Sequence, residues 1–451
     1  MEFKDRRSFL KYFIILAIPV VIQQLLVNLL SITDTVMIGA ISEASISATT
    51  VASKFFFIYS LVIFGISNGF GLFISQYVGA RDSLRYNQVL RFGLKLCFGV
   101  SLIGMFVLFV FPEGVLSIFV KNSEIIALGK TYNAYVRFSL LAYGISQMMS
   151  VAYRVQGNSS LPMKVGMISF LCNVVLNYVL IFGHFGFLRM EIAGAALATT
   201  IARFIEMILL VACSMRKSDV YYLLNPLPRL PFSLAKVILR RVIPLVFNET
   251  IWALCMSAVF LNYCFVDEAY IPAITVVDQI ANLVFVVFSG FATAVGVVIG
   301  NSLGANRIDQ AKQQAKTMVK LGLGINLVGS LLIASFSKWL PALFSLSVQS
   351  MHMATVLLLI KCCFMWTKGY TETMYYIFRA GGDTKSVLCI DGMFMILGPL
   401  CFSFIFSRLI PVPLVVLFAI VEGINIVKIL LAHHFYRKGT WAKNLTVQHA
   451  A

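Results

Sequence analysis

Apolar residues in this chain come in long runs separated by short polar or basic stretches. A helix of roughly 20 apolar residues or more crosses about 30 Å of hydrocarbon. Twelve windows meet that length: 13–38, 49–76, 89–111, 126–153, 163–186 and 191–213, then 242–265, 271–300, 316–337, 352–377, 386–407 and 412–435. They hold Gly, Phe, Leu and Met throughout, without the ten-residue alternation of a membrane barrel, so they read as helices whose backbone groups are satisfied within each segment. The predicted fold is all-α, a polytopic membrane protein of about 12 transmembrane helices.

The chain also repeats itself at one fixed offset. A shift of 225 residues (244 − 19) pairs Pro19 with Pro244, Gly65 with Gly290, Gly71 with Gly296 and Gly79-Ala80 with Gly304-Ala305. The same shift, with no gap, pairs Lys95, Gly99 and Gly104 with Lys320, Gly324 and Gly329, and Arg154 and Gly157 with Arg379 and Gly382. Two six-helix lobes follow, over 1–213 and 242–436, with a linker at 214–241 and a tail at 437–451. Six spans is an even number, so both halves insert in the same sense, as a parallel 6+6 repeat. That arrangement is typical of transporters that alternate access to a central site.

Composition fits a bilayer and removes one competing reading. Hydrophobic residues reach 59% and charged residues only 12%, against about 45–50% and 25% in soluble domains. The net charge of +17 suggests nucleic acid until the bases are placed: they gather in alternate loops, about 24 on one side against Lys121, Lys130, Arg189, Lys338 and Arg408 on the other. This is the positive-inside pattern. It predicts cytoplasmic termini in a bacterial-type plasma (inner) membrane, with anionic headgroups rather than nucleic acid as the partner of the charge. No small-residue cleavage site follows the first run, so that helix is expected to be retained. The nine cysteines lack CxxC spacing and are expected to be small buried hydrophobes.

Intramembrane polar residues carry the candidate chemistry, because each charge in hydrocarbon costs at least about 2.5–3.5 kcal/mol on insertion scales. Gln24, Asn28, Ser31 and Asp34 form one stripe on the first helix, and Ser169, Asn173 and Asn177 another on the fifth. Polar glue between helices is the alternative for the asparagines. In the second half Gln24 and Gln147 become Glu249 and Glu372, while Asp34 becomes Val259; Asp278 is added on the eighth helix with Asn282 on its face, and Asp391 opens the eleventh. The expected ion or proton coupling set is Asp34, Glu249, Asp278, Glu372 and Asp391. Gln24, Asn28, Asn173, Asn177 and Asn282 are expected to line the substrate cavity. A sodium ion, if used, is expected at Glu249, Asp278 and Glu372, and no other cofactor is called for. Lys368 one turn before Glu372, and Arg203 beside Glu206, read as local ion pairs. Gly65-Ile66-Ser67-Asn68-Gly69 matches the nucleophile-elbow pattern, but it lies mid-helix and its repeat copy lacks the serine. No enzyme is predicted.

Ile-Pro pairs open helices one and seven, and the loops Gln76-Tyr77-Val78-Gly79-Ala80-Arg81 and Asn301-Ser302-Leu303-Gly304-Ala305-Asn306 are doubled, as are Arg154-Val155-Gln156-Gly157-Asn158 and Arg379-Ala380-Gly381-Gly382-Asp383-Thr384. In this order they resemble the multidrug and toxic compound extrusion (MATE) family over residues 10 to 437. The resemblance implies an antiporter that exports organic cations or other amphiphiles in exchange for protons or sodium, by alternating access of two lobes; the chain is expected to act as a monomer. It places Asp34 at the family's first-helix acid and Glu249 at its seventh-helix acid. Members with an amino-lobe proton site tend to pair Asn with Asp on helix five; here the pair is Asn173 and Asn177, so a proton mechanism centred there is not carried over. The lipid-linked saccharide flippases of the same superfamily are the second reading. Their cavity would need bases for pyrophosphate, for which Lys54, Lys361 and Lys368 are the candidates.

The divergence of the repeat sets a test. Carboxylates sharing a dry cavity repel one another until they bind a proton or a cation, and one charge crossing 100 mV is worth about 2.3 kcal/mol. Glu249→Gln should therefore weaken ion-dependent release of bound substrate more than it weakens expression, and Gln24→Ala at the matching position should do much less. Equal effects in a substrate-release assay would empty the asymmetry of meaning.

Overall fold

The structure, a computed structural model, describes residues 6–120, 122–216, 228–344 and 346–446. Lys4, Lys121, linker residues 217–227 and tail residues 447–451 lie outside the described residues. The first half comprises α1 (Arg6–Gly39), α2 (Glu43–Gly79), α3 (Ser83–Val110), the short α4 (Pro112–Ser117), α5 (Ser123–Val136), α6 (Ser139–Val155), α7 (Ser160–Phe182) and α8 (Glu191–Arg216). The second comprises α9 (Phe232–Val266), α10 (Ile271–Gly304), α11 (Ile308–Ser335), α12 (Val348–Ala380), α13 (Thr384–Leu388), α14 (Cys401–Phe404), α15 (Leu414–Gly423) and α16 (Asn425–Lys438).

Eleven stretches among the described residues are long and apolar enough to cross a membrane. The remaining expected window, 126–153, is divided into α5 and α6. The Ser139 hydroxyl donates to the Val136 carbonyl at 2.6 Å, and the Leu140 N–H turns to Arg137 O instead. Serine thus competes with the backbone ladder, while the Arg137 guanidinium lies 4.7 Å from the Phe109 ring centre and 5.2 Å from that of Phe138. With this broken helix the count is twelve, as the hydropathy pattern predicts. The eleventh span, Thr384–Leu409, is irregular: wide π turns cover Cys389–Met393, Ile396–Leu400 and Ile405–Leu409, the second around Pro399, which has no N–H for the ladder.

Two compact units result, one of residues 22–242 and one of residues 1–21 with 243–451. Each of the proline-bearing helices α1 and α9 changes unit close to its proline, Pro19 or Pro244. Within the units, the doubled motifs prove to be helix-ending turns. Arg81 and Asn306 both have φ of 59°, and Gly157 and Gly382 have φ of 85° and 72°. At each, the left-handed residue bonds back three positions (Arg81 N–H to Val78 O, Asn306 to Leu303, Gly157 to Arg154, Gly382 to Arg379). The next residue bonds back five (Asp82 to Tyr77, Arg307 to Ser302, Asn158 to Tyr153, Asp383 to Phe378). These are Schellman closures. Asp82 and Asp383 then cap the following helices by accepting from Arg85 N–H and Ser386 N–H.

In the unit completed by residues 243–451, the core includes Tyr263, Ile274, Val277, Leu357, Leu358, Leu417 and Phe418; in the other, Ala48, Leu116, Ile192 and Ala196 form one cluster. The cysteine expectation needs correcting. Cys97, Cys255 and Cys362 are buried, but Cys363 and Cys389 are exposed on apolar spans, where facing lipid costs a thiol little. Since lipid is as apolar as leucine, helices associate here by close packing of small residues. A Cβ on Gly322 would stand 2.2 Å from Thr373 Oγ1 and 3.0 Å from the Gly369 carbonyl, so α11 and α12 touch nearly backbone to backbone. Gly322→Ala should destabilise by about 1–3 kcal/mol, the usual cost of overpacking. Gly324→Ala, with nothing within 4 Å of the added carbon, should leave the melting temperature in detergent unchanged.

Candidate functional site

In the 22–242 unit, α7 buries the predicted stripe of Ser169, Asn173 and Asn177. The Asn177 amide donates to Asp34 Oδ1 at 2.6 Å and to Asn173 Oδ1 at 2.9 Å, and Asn173 donates to Thr199 Oγ1 at 3.4 Å. Asp34 thus ends a chain of amides. Arg203 is its electrostatic counterpart; it also donates to Glu206 Oε2 at 2.9 Å and lies 5.4 Å from the Tyr143 ring centre. The expected Arg203–Glu206 pair is present, and Arg203 reaches Asp34 only through its field.

In the other unit the carboxylates fall into ion-paired groups. Arg379 donates to Glu249 Oε1 at 3.0 Å, and Tyr375 donates to the same oxygen at 2.9 Å. Lys428 donates to Asp391 Oδ1 at 2.9 Å and stands 3.8 Å from Glu372 Oε1. Lys361 donates to Asp278 Oδ1 at 2.6 Å and lies 3.5 Å from Glu422 Oε1. The first two groups act on each other electrostatically: Glu249 with Asp391, and Glu372 with both. Lys368 bears on Glu372 and Glu422. The π turn at Cys389–Met393 shapes this centre, since wide turns open the ladder to side chains. Asn248 Oδ1 accepts the Gly392 N–H at 2.9 Å while its amide donates to Asp391 Oδ2 at 2.9 Å.

Asp34, Asn173 and Asn177 are therefore brought together, as are Glu249, Glu372 and Asp391. Asp278 belongs to a separate pair, so the three residues expected to share a sodium ion are distributed between groups. Each has a basic partner already in place. Among the described residues, no three carboxylate, imidazole or thiol side chains gather as a metal centre. Gln24, Asn28 and Asn282 are exposed. Glu372 takes Lys428 as its salt-bridge partner, with Lys368 a further influence. Glu422 is buried against Lys361. Lys428 and Asn248 were missed, and for Lys428 the signal existed: it lies 225 residues after Arg203 (428 − 203), so the repeat sets a base at the same place in both units. Asn248 has no comparable signal, because its role depends on the π turn.

The serine motif lies inside a continuous helix, not at the strand-to-helix turn a nucleophile elbow needs. α2 runs unbroken through Ser67, whose hydroxyl donates to Ile63 O at 2.7 Å within the same helix.

The sequence model of the MatE family matches residues 19–179 and again 244–405, two matches that begin 225 residues apart (244 − 19). The probable multidrug resistance protein NorM of Bacillus cereus (strain ATCC 10987) is 24% identical over 357 residues, covering 79% of each chain. Its namesake from Haemophilus ducreyi is 23% identical over 381 residues, covering 83% of this chain and 81% of its own. Among solved structures, an outward-facing multidrug resistance MATE family transporter of the MOP superfamily is similar with a TM-score of 0.86 at 18% identity, covering 96% of both chains. The Vibrio cholerae MATE transporter VcmN gives 0.87 at 18% identity over 97% of this chain and 98% of its own. At such identities the solved structures speak for the fold. The doubled family match, spaced as the internal repeat is and carried by twelve helices in two units, places this chain in the MatE family of multidrug and toxic compound extrusion transporters.

Proposed function

We propose that the protein is a cation-coupled antiporter that exports organic cations or other amphiphilic drugs by alternating access, as a monomer in a bacterial-type plasma membrane with both termini cytoplasmic. One observation carries the reading: carboxylates and bases are buried together inside membrane spans in both units, where hydrocarbon makes every uncompensated charge expensive. In the 243–451 unit Glu249, Glu372, Asp391 and Glu422 are each within salt-bridge reach of Arg379, Lys428 or Lys361, and Asp278 meets Lys361 from a half-exposed position. A proton, a monovalent cation and the positive group of a drug can each compete with those bases for the same carboxylates, and that competition is enough to couple opposite movements of ion and drug. The names of the NorM relatives point to the same cargo.

The flippase reading is weakened at one of its three candidate bases. Lys361, the most buried of the three lysines that could serve a pyrophosphate, is taken by Asp278 and Glu422. In inside-out vesicles, ethidium-type dyes should be transported under an imposed proton or sodium gradient. Failure with both gradients for several cationic dyes, in correctly inserted protein, would return the flippase to first place. Asp34→Asn should abolish gradient-driven transport while leaving insertion intact, because the amide keeps the shape and loses the exchangeable charge. Wild-type efflux by this variant would remove Asp34 from the mechanism.

The bases make a second outcome testable. Removing one partner of a buried ion pair costs about 3–5 kcal/mol, so Lys428→Met should lower the melting temperature sharply. The carboxylates left behind, Asp391 and Glu372, then need another positive charge. Sodium or acidic buffer should restore part of the lost stability in the variant and act much less on the wild type. A variant that is destabilised equally at all sodium concentrations and pH values would show that Lys428 is structural packing alone.

A further inference from the structure

We propose that the cavity where α3 meets the chain entering α9 binds the phosphate headgroup of an anionic phospholipid. The cavity, of about 190 Å³, is lined by Gln88, Arg91, Phe92 and Lys95 of α3 and by Pro228, Arg229 and Leu230. Three of these seven residues are cationic and none is acidic. The segment before α9 is tied down at this point: Gln88 donates from Nε2 to the Pro228 carbonyl at 2.9 Å and accepts from Arg85 Nη1 at 3.1 Å through Oε1. Arg229 is thereby held beside Arg91 and Lys95. Planar guanidinium forks suit phosphate oxygens, with lysine as an added point charge.

A second observation separates a lipid from a soluble anion. Along α3, Arg91, Lys95, Phe98, Leu102, Phe106 and Phe109 follow one another at steps of four, three, four, four and three, which places them on one helix face. Phe98, Leu102, Phe106 and Phe109 are 44%, 38%, 61% and 63% exposed. The basic end therefore heads an open apolar track that runs into the hydrocarbon, as a headgroup with its acyl chain requires. It also stands on the side of the basic loops, where basic pockets between helices meet anionic headgroups. The repeat supplies an internal control on α11: Lys316 and Lys320 match Arg91 and Lys95 at the same offset, but Thr317 replaces Phe92.

The test uses the purified full chain in detergent, with native mass spectrometry reading retained phosphatidylglycerol or phosphatidylcholine and thermal stability reading inorganic phosphate. Wild-type protein should retain phosphatidylglycerol in preference to phosphatidylcholine. Arg229→Gln should weaken retention about fivefold, the usual share of one basic residue at an anionic surface. Arg229 is exposed, so this variant should fold. The combined Arg91→Gln, Lys95→Gln and Arg229→Gln variant should abolish the preference, and Lys316→Gln with Lys320→Gln should keep it. Phe98→Ser with Phe106→Ser should shorten lipid retention without altering the response to phosphate. Equal retention of both lipids, or undiminished phosphatidylglycerol on the triple variant, would overturn the proposal. So would stabilisation by inorganic phosphate through the same three residues with nothing added by phosphatidylglycerol, since that describes a soluble-anion site.

Discussion

Charge compensation in a medium that does not solvate charge is the constraint on which this structure turns. A lone carboxylate in hydrocarbon is costly, and moving a paired one back out of its partner's reach costs nearly as much. Lys428 between Asp391 and Glu372, Arg379 on Glu249, and Lys361 between Asp278 and Glu422 are the local answers in one unit. In the other, Asp34 is met by the Asn177 amide and the field of Arg203. Such groups hold the helices that carry them in register, because α9, α12 and α16 cannot slide without stranding a charge.

The repeat supplies the frame for these groups and then departs from itself. Its most exact copies are the four helix-ending turns, where backbone geometry is demanding: a left-handed residue is needed, and glycine fills it at Gly157 and Gly382 while arginine and asparagine tolerate it at Arg81 and Asn306. Function has been free to diverge between the turns. The first unit sets amides around Asp34 beside the Arg203–Glu206 pair, and the second sets its acids against bases.

Regularity is lost in two places, each for a local reason. Ser139 splits the fourth span by competing with the backbone ladder for the Val136 carbonyl. The eleventh span widens into π turns, one of which presents Gly392 N–H and the Asp391 carboxylate to the two ends of the same Asn248 amide. The second irregularity is tied to the acid centre, in keeping with the tendency of π turns to mark such sites.

Span count, the parallel repeat, and which residues are acids in hydrocarbon were all determined by the sequence alone, because membrane thickness and the cost of charge act on local composition. So was the identity of the doubled turns, whose glycines stand at a constant offset. Partnership was not. Asp34 meets Asn177 and Asn248 meets Asp391 across 143 residues each, and Asp278 meets Lys361 across 83; no periodicity within one helix reports on which neighbour it will face. The expected sodium set of Glu249, Asp278 and Glu372 could be listed from charge type, but only the packing of α9, α10, α12 and α16 decided that each acid would be closed against its own base. Hydrocarbon demands that a charge be answered, and the tertiary structure alone chooses by what.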